Sequence, residues 1–280
     1  MTELQPRLQS QGRTRVGLMI LLVGLLHLPS VFNPFFIDDY IYLDTVHDLS
    51  WSGIPEIMTT ATMDEDASGV WWTPVGLLPF YRPLTILTFA LDYQIWGMNP
   101  VGYHLTNLLL HLLCTFLTWR LALRLFSSPR LAFVAATLFA LHPIHAEAVI
   151  WISGRFDLTV CAAVLGSVLC YLNWREREEA SRWWGAACLS CFVIGLGCKE
   201  TALILPAALV AIEVLLRRRG QARLWRSARG SSLARALITA SVVARQRWRE
   251  REQTMGGPLD DALPGLTVEV VRLFEDGTLS

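Results

Sequence analysis

Two adjacent carboxylates, Asp38 and Asp39 in FIDDYIYL, follow directly on a long apolar run. Side by side they repel, and the apolar flank removes part of their water. Both effects raise a carboxyl pKa towards general-base or metal-binding use. Acids that merely mark the end of a membrane span would look the same, so spacing alone leaves both readings open. A second group sits in ALHPIHAEAVIWISGRFD, where His142, His145, Glu147, Arg155 and Asp157 crowd the junction of two apolar stretches. Ionisable groups at membrane depth line a cavity or a site. The two histidines and Glu147 ligate a metal only if the chain turns after Pro143, and they match no defined zinc motif. Arg155 suits a phosphate through its planar fork of donors, or anchors the interface by pairing with Asp157. Lys199 is the only lysine in the chain and adjoins Glu200. Together they make either a mutually neutralising pair or a point charge for an anionic head group.

These groups must be positioned by elements made mostly of apolar residues. With 53% hydrophobic and 17% charged residues and a mean hydropathy of +0.40, the chain is too apolar for an ordinary soluble domain. A helix needs about 20 apolar residues to span the hydrocarbon core, because lipid offers no partner to unpaired backbone groups. By that ruler the expected fold is all-α, a polytopic transmembrane helical bundle with spans at 16–36, 101–125, 131–152, 156–174, 183–198 and 201–216. The first run lacks a small-x-small cleavage site and reads as an uncleaved span. His104, Asn107 and His111 share one face of the second, so that stripe faces protein or a cavity. The six cysteines lie in or beside apolar stretches, and the CxxC of Cys188 and Cys191 reads as core packing.

Arginines mark every second connection: Arg7, Arg13 and Arg15; Arg120, Arg124 and Arg130; Arg175, Arg177 and Arg182; Arg217, Arg218 and Arg219. The positive-inside rule makes these cytoplasmic, with residues 1–15 and an arginine-rich tail at 217–280 on the same side. The opposite face carries a long acidic loop, 37–100, containing Trp51, Trp71, Trp72, Tyr81 and Trp96. Pro83 is expected to start a short helix there that ends at Gly97 and rests on the membrane or the bundle.

The lines FIDDYIYL, YRPLTILTFALDYQIWGMNPVGYHLTNLLLHLL, FALHPIHAEAVIWISGRFDL and GCKETALILP, in order over residues 30 to 216, resemble the GT-C class of polyprenyl-phosphate-dependent glycosyltransferases. Within it they are similar to the protein O-mannosyltransferase-like and transmembrane-tetratricopeptide proteins. The resemblance implies a GT-C-like bundle and an enzyme that moves a sugar, mannose or another hexose, from a polyprenyl-phosphate carrier to an acceptor hydroxyl on the outer face. The family's acidic pair falls on Asp38 and Asp39, which would deprotonate the acceptor or bind a divalent cation while the lipid phosphate leaves with inversion. Arg82, Arg155 and Lys199 would stabilise that leaving phosphate, with His142, His145, Glu147 and Glu200 in the same binding region. The implied partners are membrane lipid, the lipid-phosphate sugar and a protein or glycan acceptor. No nucleic acid is expected.

Family members usually continue through further spans, and the tetratricopeptide type adds repeats. Here the apolar pattern stops near Leu216, and no repeat of about 34 residues follows. The abrupt change of composition gives the expectation of a truncated or frame-shifted reading, inactive if late spans complete the carrier groove. A natural short form, or a tail lying on anionic lipid through its arginines with Trp225 and Trp248, are the other readings. A noncatalytic scaffold or assembly subunit is the alternative function. A small transporter using His142, His145, Lys199 and Glu200 is a third, weakened by the lack of an internal repeat. The expected location is the plasma membrane, the inner membrane of a bacterium, since no retention signal ends the chain.

Overall fold

The computed structural model describes residues 4–49, 51–58, 81–176, 181–218, 237, 239–243 and 245–246. The expectations for Trp71, Trp72, Arg177 and the tail with Trp225 and Trp248 lie outside the described residues. The fold is all-α, with no strand among the described residues. Among the described residues ten α-helices follow in order: α1 Leu4–His27, α2 Asp38–His47, α3 Ile54–Ile57, α4 Pro83–Trp96 and α5 Pro100–Phe126; then α6 Pro129–Leu141, α7 Ala146–Ile150, α8 Arg155–Glu176, α9 Ser181–Cys198 and α10 Leu205–Arg218.

Proline and short polar caps set the helix starts. Pro83, Pro100 and Pro129 each occupy the first turn, where a missing N–H costs nothing. The Asn99 side chain accepts from Val101 N–H at 3.1 Å, and Ser128 accepts from Leu131 N–H at 3.4 Å. Gly97, at φ 56°, ends α4 as expected from the sequence. Ile37 is less comfortable. It takes φ 35° immediately before Asp38, a region that a β-branched residue rarely enters.

Among the described residues three helices are long and apolar enough to cross a membrane: Thr14–Phe32, Pro100–Phe126 and Ile152–Arg175. A fourth forms if Pro129–Leu141 and Pro143–Ile150, bent by 49°, make one broken span. The expected third span is therefore broken at Pro143, whose ring cannot continue the helix. The six spans expected from the sequence reduce to three or four by this measure. Arg182–Cys198 is a shorter apolar helix, and α10 has 14 residues. Such a helix rises about 21 Å, short of a hydrocarbon core of about 30 Å.

Helix α5 is the central post, packed against α1, α6 and α8, while α9 lies along α8. One apolar cluster joins α1, α5 and α6 through Val23, Trp119 and Ala136. Another joins α8, α9 and α10 through Tyr171, Phe192 and Leu209, with Cys188 and Cys198 as small core residues. A third gathers Tyr42, Phe89 and Phe156, closing α2 and α4 over one end of the bundle. The outer face of α1 remains apolar and exposed at Leu18, Leu22 and Leu26, as a lipid-facing helix requires.

Candidate active site

The starts of α2 and α4, the α6–α8 connection, the first turns of α8 and the residue after α9 converge at that closed end around a cavity of about 510 Å³. Asp38, Arg82 and Lys199 line it, from three connections far apart in sequence. His145, Glu147 and Asp157 complete its charged wall. Tyr42, Trp151 and Phe156 supply aromatic surface. Five of the nine residues that the resemblance implies for the site thus share one space, with Asp157 beside them. Asp39, His142, Arg155 and Glu200 do not line it.

The acidic pair splits into two roles. Asp39 is buried, and each of its oxygens is occupied: Oδ2 accepts Phe36 N–H at 2.9 Å, and Oδ1 accepts Ser153 N–H at 2.9 Å and Ser153 Oγ–H at 2.6 Å. Asp39 therefore ties the start of α2 to the turn before α8. Asp38 is partly exposed on the cavity, and its buried Oδ1 accepts no hydrogen bond. Burial first, and the neighbouring Asp39 charge second, raise the Asp38 carboxyl above its ordinary value. Both acids lie in the first turn of α2, where consecutive side chains diverge by about 100°, so one turns inwards while its neighbour faces the cavity. With both Asp39 oxygens taken, the pair does not fit a two-carboxylate metal seat. Among the described residues no group of three or more His, Cys, Asp or Glu side chains is placed to hold an ion.

Both cavity cations are paired, but not as the sequence suggested. Lys199 does not neutralise its neighbour Glu200. Its Nζ reaches Asp157 Oδ1 at 2.5 Å, and Glu200 instead accepts two bonds from Arg82, at 3.1 Å from Nε and 2.7 Å from Nη2. The extended backbone at Lys199 sends consecutive side chains apart. Burial pushes the Glu200 carboxyl up, but the hydrogen bonds and charge of Arg82 outweigh this and hold it below its ordinary value. Arg82 also lies over the Phe156 ring at 5.0 Å. Burial pushes the Tyr42 hydroxyl up to about 12, against the opposing pull of Arg82, so it stays a neutral donor.

Arg155 does not pair with Asp157 and is fully buried behind the cavity. Its Nε donates to Asn107 Oδ1 at 2.8 Å and its Nη2 to the Tyr103 carbonyl at 2.9 Å. Nη2 also lies 2.6 Å from Asp92 Oδ2, a close ion pair outside hydrogen-bond alignment, and Asp92 Oδ1 accepts from Thr106 Oγ1 at 2.9 Å. Asn107 passes the connection on, donating to the carbonyls of Trp151 at 2.9 Å and Ile152 at 3.1 Å. The polar stripe on α5 thus faces protein, as its spacing requires. His111 joins it, bonded through Nε2 to the Ala140 carbonyl at 3.1 Å. His142 is exposed, and its Nδ1 caps the turn by accepting Ile144 N–H at 3.2 Å.

Sequence reasoning passed over Asp92, Ser153, Gly154 and Trp151. Asp92 had a signal, a lone acid in an apolar helix. Gly154 had none: a Cβ there would lie 2.6 Å from Ala148 Cα, so only glycine lets the turn close on α7.

Residues 80–246, more than half of the chain, match the family described as dolichyl-phosphate-mannose-protein mannosyltransferase. The chain is 41% identical over 138 residues to Protein O-mannosyl-transferase Tmtc1 of Drosophila melanogaster, covering 48% of this chain and 16% of that protein. It is 37% identical over 161 residues to Protein O-mannosyl-transferase TMTC2 of Homo sapiens, covering 57% and 19%. It is 30% identical over 206 residues to Protein O-mannosyl-transferase TMTC3 of Mus musculus, covering 72% and 21%. The chain therefore spans about a fifth or less of the length of these relatives. They are animal proteins and lend no support to a bacterial inner membrane. No solved structure matches the chain. The apolar spans, the shared cavity and the matched segment agree: this is an integral membrane protein that belongs to the dolichyl-phosphate-mannose-protein mannosyltransferase family.

Proposed function

We propose that this chain transfers a hexose, mannose in the first instance, from a polyprenyl-phosphate carrier to a hydroxyl of a protein acceptor on the non-cytoplasmic face, with inversion at the anomeric carbon. The observation that carries this reading is the cavity in which the Asp38 carboxylate shares a wall with Arg82 and Lys199. Asp38 accepts the proton of the acceptor hydroxyl as its oxygen bonds to the anomeric carbon. The bond from that carbon to the phosphate oxygen breaks, and polyprenyl phosphate leaves with the electron pair. Negative charge grows on the phosphate in that step, and Arg82 and Lys199 stabilise it. A guanidinium fork that now holds Glu200 in two bonds matches a phosphate equally well. Arg155 and Asp39 are assigned to positioning, not to substrate. The carboxylate pair does not fit an ion, and no step is routed through one. The arginine pattern supports cytoplasmic termini.

The test incubates membranes holding the full chain with radiolabelled polyprenyl-phosphate mannose and a serine- and threonine-bearing acceptor peptide. Asp38→Asn should cut transfer by about a hundredfold or more, the usual worth of a general base, with insertion intact. Transfer at the wild-type rate in that variant would overturn the assignment. Well-inserted wild-type protein that labels no acceptor would favour a scaffolding role.

A further inference from the structure

Beside the charged cavity lies a second space of about 510 Å³, between the α1–α2 connection and α7. Pro34, Phe36 and Ile150 make its wall largely apolar, and no lysine, arginine or histidine lines it. The two spaces adjoin. Glu147 and Trp151 line both, and of the adjacent aspartates Asp38 lines the first and Asp39 the second. The proposed base thus stands at their border.

Two polar side chains of the second wall are unused. Glu147 is exposed, and its carboxylate makes no hydrogen bond or ion pair with another described residue. Asn33 is half-buried, and its amide likewise has no partner among the described residues. Neither side chain has an unpaired atom shut away from water, so an incoming molecule can reach both. An anion is disfavoured beside Glu147 because like charges repel, and a phosphate therefore stays with Arg82 and Lys199 in the charged cavity. The Asn33 amide offers two donors and an acceptor, the complement of a peptide bond and of no use to a hydrocarbon chain. Inversion adds a directional reason. The acceptor oxygen attacks the face of the anomeric carbon opposite the leaving phosphate, so the acceptor needs an entrance that the base borders and the cations do not line.

We infer that the second space is the acceptor port. It takes an extended peptide whose backbone pairs with the Asn33 amide and whose apolar side chains rest on Phe36 and Ile150. Glu147 selects a hydroxyl residue with no acid beside it. The inference rests on the transfer reading above and gives its acceptor a sequence preference.

Equilibrium binding tests it without requiring turnover. The full chain, inserted in lipid discs, is titrated with three fluorescent peptides that carry one threonine among valines and differ only in the residue beside it: alanine, aspartate or lysine. Wild type should bind the aspartate peptide about tenfold more weakly than the alanine one, the scale of one unit charge a few ångströms away at a wet surface, and the lysine peptide more tightly. Glu147→Gln should bring the three within about twofold of one another. Asn33→Ala should weaken all three about fivefold, the scale of one hydrogen bond, and Ile150→Trp, which fills the space, should weaken them further. Neither of these two variants should change the affinity for unsubstituted polyprenyl phosphate. Loss of polyprenyl phosphate binding with peptide binding kept would give the space to the prenyl chain and overturn the inference. A wild type that does not distinguish the peptides, or a preference that survives Glu147→Gln, would overturn it too. Peptide binding in the expected pattern, without transfer from radiolabelled polyprenyl-phosphate mannose, would sink the transfer reading alone.

Discussion

The chain carries two kinds of ion pair, and they differ in what surrounds them. At the cavity, Arg82 pairs with a Glu200 side chain that is 43% exposed, and Lys199 with an Asp157 side chain that is 57% exposed. Inside the bundle, Arg155 and Asp92 are 0% and 7% exposed, and Arg175 and Glu213 are 7% and 4%. A buried pair is dear to break, since removing one partner strands a charge in low dielectric. A pair with one partner in water is weakly held, because solvent and incoming ions compete for it. The buried kind therefore acts as a strut and the half-exposed cavity kind as a placeholder. Under the proposed function the cavity cations are held in orientation and remain exchangeable for a stronger anion.

The sharpest way to break this division is to truncate the strut. Arg155→Met leaves Asp92 buried without its cation, and also strips Asn107 of the partner that orients it towards Trp151. The expected cost is about 3–5 kcal/mol, read as a large drop in the thermal unfolding midpoint in detergent. Adding Asp92→Leu should recover much of it, because the stranded charge is then gone. Equal instability of the single and double variants would mean that the guanidinium's hydrogen bonds, not the charge pair, carry the strut.

A smaller effect is expected at Asp39, which behaves like a strut although it adjoins the proposed base. Asparagine there can present only one acceptor oxygen, so its amide NH₂ must face either Phe36 N–H or the Ser153 donors. Two donors then meet in a buried site, at about 1–3 kcal/mol. Asp39→Asn should therefore lower the unfolding midpoint, whereas Asp38→Asn should leave it nearly unchanged and abolish transfer. Reversed behaviour of the two variants would exchange the roles assigned to the pair.

The placeholder class predicts a change in function with little change in stability. Arg82→Lys keeps the charge and loses the fork, so the two parallel bonds to Glu200 lose their planar match. Transfer should fall about tenfold or more while the unfolding midpoint stays close to wild type. A loss of stability as large as that of Arg155→Met would place Arg82 among the struts.

The division between these classes was only half written in the sequence. The all-α membrane fold was legible because apolar length is a direct consequence of lipid chemistry, and the helix from Pro83 to Gly97 was legible from its proline and glycine. The α5 stripe of His104, Asn107 and His111 announced an inward face by spacing alone, and the structure buries all three. Span number was less legible, because the apolar run over 131–152 hides a bend at Pro143 and hydropathy does not record direction. The pairing of charges was illegible. Lys199 and Glu200 are neighbours in sequence, but their partners lie 42 and 118 residues away. Two adjacent aspartates likewise look equivalent until the helical step of α2 sends one inwards and the other to the cavity.

The smallest expected effect is the most discriminating for the placeholder idea. Glu200 is held below its ordinary value, so its ionised form is favoured by folding. Its contribution to stability is present above the ordinary carboxylate pKa and is lost as pH falls through the depressed one. Asp38 runs the other way: its raised pKa means that its contribution is full at low pH and is lost as pH rises through the folded value. The proposed transfer, with Asp38 as its base, should accordingly fall on acidification at a higher pH than an ordinary aspartate would set. Glu200→Gln should flatten the acid loss of stability and leave that kinetic limb in place, since Asp38 is untouched. It should also lower the donor KM by a few-fold, because Arg82 no longer has to surrender an anionic partner to the phosphate. A donor KM that rises in Glu200→Gln would mean that the carboxylate orients Arg82 for the phosphate and does not compete with it, and the pair would then belong with the struts despite its exposure.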